Sequence, residues 1–474
     1  MNLKDMIMKK VYQVSHKGQN PKPRFFLQHL ICEAAGWKPG ETLYVGIDNN
    51  NKEVTVQNKP LSSSETSHTV SVSYRENKKS KIKRPLVDTA GERYSSIVDI
   101  NQKVEICVYE GSVVIRPLHF KLMEDATVPT QKDERIRLTS ICAGAGIGTS
   151  IFANTGYFTP VMEIEVEDDS AEVLKHNFPN SFLFNGDLRD CHEVMESDVV
   201  LVTLPCNEYT PLSFGDEGMI NHLVLAAAKI IESSKAKVAI FENVPQWYDS
   251  KSFQTLKSLL SPMFPYWMEK NIESSEFGSL ARRNRTYSIA TSSKELLFNF
   301  EFPTKPKNQR RRKLRDYVES FQESKYEWKP LDKWKKSFNS REAWKDRKLD
   351  KTFVSLDAKE IHCIPKRYRS QCASNTYVMN EEKTMWRFLT ESEIKKILSV
   401  PNWFEFCPHT PITRRYEMLG QSVDGRILSS IANNLATAFF KAKRTIVDSV
   451  HKLKDVMEES ISIEEDGQIS LMLV

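Results

Sequence analysis

Three apolar runs in this chain end in residues that carry chemistry, and no other feature restricts its fold as much. Leu138-Thr139-Ser140-Ile141 runs into the loop Cys142-Ala143-Gly144-Ala145-Gly146-Ile147-Gly148. Val199-Val200-Leu201-Val202 runs into Leu204-Pro205-Cys206-Asn207, and Val238-Ala239-Ile240-Phe241 runs into Glu242-Asn243-Val244-Pro245. Between and around these runs the pattern alternates. Strands are predicted at Ile136–Ile141, Phe158–Glu165, Val199–Leu204 and Val238–Glu242. Helices are predicted from Thr149–Ala153, over Ser170–His176 and over Leu223–Ser233. Such alternation implies an α/β fold, a mainly parallel sheet with helices on both faces. Ligands and catalytic groups of these sheets gather at the carboxyl ends of the strands. A glycine loop, a thiol and a carboxylate stand at those ends here.

The rest of the chain has a different texture. Residues 1–130 hold short β-type runs in pairs. Thr42–Ile47 and Lys52–Val56 flank the turn Asp48-Asn49-Asn50-Asn51, and Val104–Tyr109 and Ser112–Arg116 flank Glu110-Gly111. Both pairs read as hairpins, which makes this stretch a β-rich accessory domain. The Ser/Lys-rich stretch from Ser62 to Lys83 between them is expected to be a flexible linker. Residues 131–298 carry the alternating α/β pattern. Residues 299–384 are rich in Lys, Arg and Trp, with little helical or strand period. Residues 385–474 return to order at Trp386-Arg387-Phe388-Leu389-Thr390. A long amphipathic helix follows Gly425 through Ile427, Leu428, Ile431, Leu435 and Phe439, and an acidic tip ends it.

The net charge of +5 permits a nucleic-acid partner without requiring one. The eight cysteines form no Cys-x-x-Cys pair and have no histidines at ligand spacing, so no structural metal site is expected. The amino terminus lacks the apolar core of a signal peptide, and no stretch is apolar enough to span a bilayer. The expectation is a cytoplasmic protein with free thiols and no membrane partner.

Glycines 144, 146 and 148 let a strand turn sharply into a helix and let backbone approach a ligand. A dinucleotide fingerprint would need glycine at Thr149, so the loop is not of the usual NAD type. Glu165 ends the following strand, where a carboxylate can take hydrogen bonds from two ribose hydroxyls. Asp187, in Asn185-Gly186-Asp187-Leu188, follows a further apolar run and could hold an adenine amine. Alone these are a glycine turn and two surface acids. Together at successive strand ends they favour an adenosine-type cofactor.

With these residues joined to Pro205-Cys206 and Glu242-Asn243-Val244, the chain resembles the DNA (cytosine-5) methyltransferases of a divergent bacterial or phage type. Arg282-Arg283-Asn284-Arg285 resembles that family's Gln-Arg-Arg-Glu-Arg motif, and Arg387–Glu393 its Arg-x-Leu-Thr-x-x-Glu motif. Gly420-Gln421-Ser422-Val423 resembles its Gly-Asn-Ser-Val motif. The resemblance covers residues 136–443. Departures stand at Cys142 (usually Phe), Leu204 (Pro), Asn207 (Gln), Ala281 (Gln), Asn284 (Glu) and Gln421 (Asn).

The resemblance implies a Rossmann-like S-adenosyl-L-methionine-dependent methyltransferase sheet with a small irregular target-recognition domain at 299–384. It implies Cys206, Glu242, Arg283 and Arg285 as catalytic residues. It implies cofactor contacts from Cys142, Ala143, Gly144, Gly146, Ile147, Gly148, Glu165, Val166, Asp187, Leu188, Pro205, Gln421, Ser422 and Val423. Addition of the Cys206 thiolate at C6 of cytosine would make C5 nucleophilic, with Glu242 at N3, Arg285 at the O2 edge and Arg283 orienting the nucleophile's surroundings or the sugar-phosphate. The target base would be flipped out of the duplex.

Double-stranded DNA is the implied partner, with Arg310, Arg311, Arg312, Lys366, Arg367, Arg369 and Gln371 as candidate contacts and Trp334-Lys335-Lys336 in the same segment. A cognate restriction endonuclease is a further candidate partner, in a bacterial cytosol and close to the nucleoid. Gly36–Val45 resembles the helix-turn-strand of AbrB-like swapped-hairpin domains, which would imply DNA contact or a homodimer through residues 1–130. Two alternatives stay open: methylation of RNA cytosine, and a DNA-binding regulator on a degenerate catalytic scaffold.

Overall fold

The computed structural model describes residues 5–17, 21–62, 66–76, 81–118, 126–128, 134–205, 218–306, 311–319, 327–339, 352–370, 372, 375–459, 461–463 and 469–471. The amino-terminal part supplies β1 (Met8–Gln13), α1 (His29–Ala34), β2 (Thr42–Asp48), β3 (Glu53–Gln57), β4 (Thr66–Ser71), β5 (Lys103–Tyr109) and β6 (Ser112–Pro117). The alternating region follows as β7 (Ile136–Ile141), α2 (Ile147–Asn154), β8 (Phe158–Glu165), α3 (Asp168–Asn177), β9 (Phe182–Asn185), β10 (Val199–Val202), α4 (Gly218–Ser233) and β11 (Val238–Asn243). It closes with an antiparallel pair, β12 (Tyr266–Glu273) and β13 (Asn284–Thr291). The later elements used below are α5 (Leu331–Asn339), α6 (Ile412–Gln421) and α7 (Gly425–Glu459).

All thirteen strands form one sheet, in the order β12-β13-β11-β10-β7-β8-β9-β1-β5-β6-β3-β2-β4. From β11 to β9 every neighbouring pair is parallel. The near-continuous apolar runs are explained by burial on both faces. Val199, Leu201, Val238 and Ile240 pack into one core with α2 and α7, and Val200, Val202, Ala239 and Phe241 into a second with α4. Ile427, Leu428, Ile431 and Leu435 of α7 lie in the first core, on the apolar stripe their spacing predicts.

The change of texture near residue 130 does not interrupt the sheet. β1 pairs in parallel with β9 on one side and antiparallel with β5 on the other. The Lys9 ammonium, almost fully buried, lies 3.0 Å from Glu105 of β5 and 2.5 Å from Glu193 beyond β9. A burial this complete requires charge partners on both sides. A second tie is centred on Glu172 of α3. Its carboxylate meets His29 of α1, His409 ahead of α6 at 2.7 Å, and Arg84 at 2.6 Å. Burial alone would raise this carboxyl; hydrogen bonds from the two histidines and the charge of Arg84 outweigh it and hold it at about 2. The His29, Glu172 and His409 ligand-type atoms lie within 4.8 Å of one another. Arg84 already supplies a cation to the same carboxylate, so we read the cluster as a clamp.

Two expectations are corrected. The stretch Ser62–Lys83 is not a plain linker. Thr66–Ser71 is β4 on the edge of the main sheet, and Ser73–Glu76 pairs with Lys83–Ala90. Their polar side chains alternate on an exposed edge, so neither run is apolar, yet His68 reaches the buried Tyr94 hydroxyl at 3.0 Å. Residues 63–65 and 77–80 lie outside the described residues. The segment 299–384 also holds helix α5 and most of a small sheet of two- and three-residue strands, completed by Met385–Arg387. Trp334, expected among DNA-facing residues, is buried against Phe353, Tyr377 and Trp386. Strands so short leave no period to read.

Replacing Glu172 by Gln strands Arg84 against a neutral amide and should lower stability by about 3 kcal/mol in urea denaturation at pH 7. The sign with pH follows from the depressed carboxyl. Its contribution is present above about 4.5, the ordinary value, and is lost as pH falls toward about 2. Melts of Glu172→Gln should therefore lose less stability than wild type across that window.

Candidate active site at the carboxyl edge of the sheet

The loop after β7 turns through three left-handed residues, Cys142 (φ 54°), Gly144 (φ 57°) and Gly146 (φ 83°). At Gly146 glycine is obligatory twice over: a Cβ would lie 2.5 Å from Leu174 Cδ2 and 2.8 Å from Phe178 Cε2 of the α3 region. Cys142 carries a side chain in this unfavourable region; its carbonyl accepts a hydrogen bond from Thr203 Oγ1 at 2.9 Å, which ties the loop to the end of β10. Ala143 and Ile147 complete the loop, and a Cβ on Gly148 would lie 3.2 Å from Leu201 Cδ2. Thr149, where a third glycine would stand, is buried, with its hydroxyl on Ser140 and Glu163.

The Glu165 carboxylate receives the backbone N–H of Gly144 at 2.7 Å, Val166 at 2.9 Å and Glu167 at 2.8 Å. Burial raises its pKa and these donors oppose the rise. Three of a carboxylate's roughly four acceptor positions are thus taken. One ribose hydroxyl fits; the expected second needs a backbone bond to yield. Asp187 caps its own turn by accepting the Arg189 N–H at 3.0 Å and pairs with the Arg189 guanidinium, which lowers its carboxyl below the ordinary value. Leu188 is buried beneath it, and Val166 is exposed. A cavity of about 210 Å³ opens between Val166, Gly186 and Asp187. An open cavity, an exposed apolar rim and a carboxylate with acceptor capacity left fit the adenosine half of the expected cofactor.

Glu242 is buried one residue before the end of β11, and its Oε1 lies 3.1 Å from Arg285 Nε on β13. The neighbouring Asn243 donates from Nδ2 to the Leu204 carbonyl at 3.1 Å and accepts the Val244 N–H at 2.8 Å. It thereby fixes the chain leading to Pro205, which is exposed. Cys206 lies outside the described residues, as do 207–217. Arg283 is buried and donates to the carbonyls of Gly420 and Gln421, each at 3.3 Å. It therefore holds the carboxyl-terminal motif against the start of β13. A Cβ on Gly420 would stand 2.2 Å from the Pro365 carbonyl oxygen, so glycine permits this close crossing. Gln421 is exposed, Ser422 caps the end of α6 on the Leu419 carbonyl, and Val423 is buried.

Against this geometry, residues 136–437 match the C-5 cytosine-specific DNA methylase family. The chain belongs to that family. Among curated relatives it is similar to the type II methyltransferase M.Bsp6I of Bacillus sp. (strain RFL6), 24% identical over 35% of this chain and 56% of that protein. It is also similar to the type II methyltransferase M.MspI of Moraxella sp, 23% identical over 52% of this chain and 57% of that protein. The chain thus spans a little over half the length of the relatives it matches. The structure of the S. pombe Dnmt2 methyltransferase shares the fold, with a TM-score of 0.50 and 17% identity over 64% of this chain and 98% of that one. The methyl donor of the family is S-adenosyl-L-methionine, and the residues above fit it.

The chain's basic candidates divide. Arg310 and Gln371 lie outside the described residues. Arg311, Arg312, Lys366 and Arg367 are exposed, with Arg311 3.9 Å from Glu360. Arg369 is exposed as well, with its guanidinium 4.9 Å over the Phe388 ring and 5.4 Å over Tyr416. Sequence reasoning missed Lys10, Asn185 and the role of Asn243. Only Asn243 had a signal, its place beside Glu242. No helix among the described residues is long and apolar enough to cross a membrane.

Gly146→Ala should cost about 2 kcal/mol in urea denaturation, since strain and overpacking add. Gly156→Ala, at φ 78° but with open space around it, should cost about 1 kcal/mol from backbone strain alone. Equal losses would show that the contact with Leu174 is immaterial.

Proposed function

We propose that this chain methylates C5 of cytosine in double-stranded DNA through a covalent adduct of Cys206. The Glu242–Arg285 pair at 3.1 Å, beside a Pro205 loop pinned by Asn243, carries the reading. The Cys206 thiolate adds to C6 of a flipped cytosine, and a bond from Glu242 to N3 draws the displaced electron pair toward that side of the ring. The pair returns through C5 onto the incoming methyl group. S-adenosyl-L-methionine would supply that group as an electrophilic sulfonium methyl, its sulfur keeping the electron pair of the broken S–C bond and leaving as S-adenosyl-L-homocysteine. Loss of the C5 proton then expels the thiolate from C6 and restores the aromatic ring.

In this account Arg285 has two tasks. It steadies the Glu242 carboxylate before substrate arrives and meets the O2 edge once the base is in place. Arg283 is a positioning residue that keeps the Gly420–Val423 turn in register with the cofactor side. Exposed Arg311, Arg312, Lys366 and Arg367 supply phosphate contacts. DNA is favoured over RNA because the family that residues 136–437 match is that of the C-5 cytosine-specific DNA methylases. The role we assign is DNA protection, paired with a restriction endonuclease or serving a phage or its host.

Bisulfite sequencing of DNA from a host without cytosine methylation tests this. Wild type should protect cytosines within one short motif, and Cys206→Ser should protect none. Glu242→Gln should slow transfer by about 100-fold or more while leaving DNA binding intact. Labelled methyl groups appearing in tRNA and not in duplex DNA would reassign the substrate.

A further inference from the structure

Strand β1 runs further than the strand it joins. Its parallel pairing with β9 ends at Lys10 opposite Asn185. β9 then leaves the sheet through Gly186 toward Asp187, while β1 continues because β5 still pairs with it, Val11 with Glu105, Tyr12 with Val104 and Gln13 with Lys103. Three residues of β1 therefore stand beyond the carboxyl edge, on the side where an open parallel sheet would end in solvent. They form one wall of the 210 Å³ cavity, facing Val166 and Asp187.

Lys10 connects that wall to the cofactor turn. Its ammonium, 9% exposed as a residue, lies 2.5 Å from Asp168 Oδ1 and 2.6 Å from Asn185 Oδ1. The other end of the Asn185 amide donates to the carbonyls of Glu165 at 3.0 Å and Val166 at 3.4 Å. The ammonium can only donate, so it fixes which end of the amide faces the turn. Lys10 thereby orients the backbone that carries Glu165 and Val166.

We propose that the amino-terminal strand is part of the adenosine-binding site of this methylase, with Lys10 as a positioning residue and Val11–Gln13 as the wall that closes the adenine end. The inference rests on Glu165 and Asp187 being the cofactor's ribose and adenine partners. Lys9, next in the chain, is the internal comparison. It points to the opposite face, onto Glu105 and Glu193, and does not line the cavity.

Titration calorimetry with S-adenosyl-L-methionine on the full chain tests it, alongside thermal melts and steady-state rates. Lys10→Met should raise Kd and the cofactor KM about tenfold with kcat little changed, the loss expected for a charge-assisted hydrogen bond. Lys9→Met should lower the melting temperature and leave Kd at the wild-type value. Should Lys10→Met fail to fold, Tyr12→Ala removes wall without leaving a buried amide unpaired, and should weaken S-adenosyl-L-homocysteine about threefold or more. Wild-type uptake of cofactor with unchanged Kd in both Lys10→Met and Tyr12→Ala overturns this inference alone. A wild type that takes up no cofactor overturns it together with the roles of Glu165 and Asp187.

Discussion

The Glu165 carboxylate, receiving three backbone N–H groups from two separate loops, is the interaction on which the candidate site most depends. Loops at the end of a parallel sheet leave the ladder with unpaired backbone groups, and those that are buried must find partners. Here the partners are polar side chains at the same edge. Asn243 serves the Leu204 carbonyl and Val244 N–H, Thr203 the Cys142 carbonyl, and Asn185 the carbonyls of Glu165 and Val166. The loops are thus fixed by the protein's own hydrogen bonds, which is the preorganisation that binding and catalysis both reward.

Three long-range ties then make distant parts of the chain answer to that edge. Lys9 binds β1 between β5 and the segment after β9. Glu172 gathers α1, Arg84 and the approach to α6 onto α3. Arg283 grips the backbone of Gly420 and Gln421. Removing either member of such a buried pair costs more than an exposed pair contributes, because the partner's charge stays behind. The amino-terminal part of the chain is consequently joined to the catalytic sheet by hydrogen bonds, by shared core and by buried charge.

What could be read from the sequence follows from how local each signal is. The strands at 199–202 and 238–242 were legible because burial on both faces writes a continuous apolar run, and the glycine loop because positive φ selects glycine at 144 and 146. Asn243 and Arg283 were visible as motif members, but their hydrogen bonds depend on which strand lies beside which. Lys9 and Lys10 look in sequence like two solvated lysines near a terminus. Only the β1–β9 pairing buries them. His29, Glu172 and His409 are separated by well over a hundred residues at each step, so nothing local could unite them. The two- and three-residue strands around Trp334 were too short to show any period.

The central claim is chemical: methyl transfer to cytosine passes through a bond between Cys206 and C6. A duplex carrying 5-fluorocytosine within the protected motif tests it directly, because fluorine at C5 cannot leave as a proton and the thiolate cannot be expelled. Incubated with this duplex and S-adenosyl-L-methionine, the wild-type chain should give a complex that survives denaturing electrophoresis, with the mass of protein, strand and one methyl group, mapped to Cys206 after digestion. A chain that methylates the ordinary duplex yet forms no denaturant-stable complex with the fluorinated one would contradict the account.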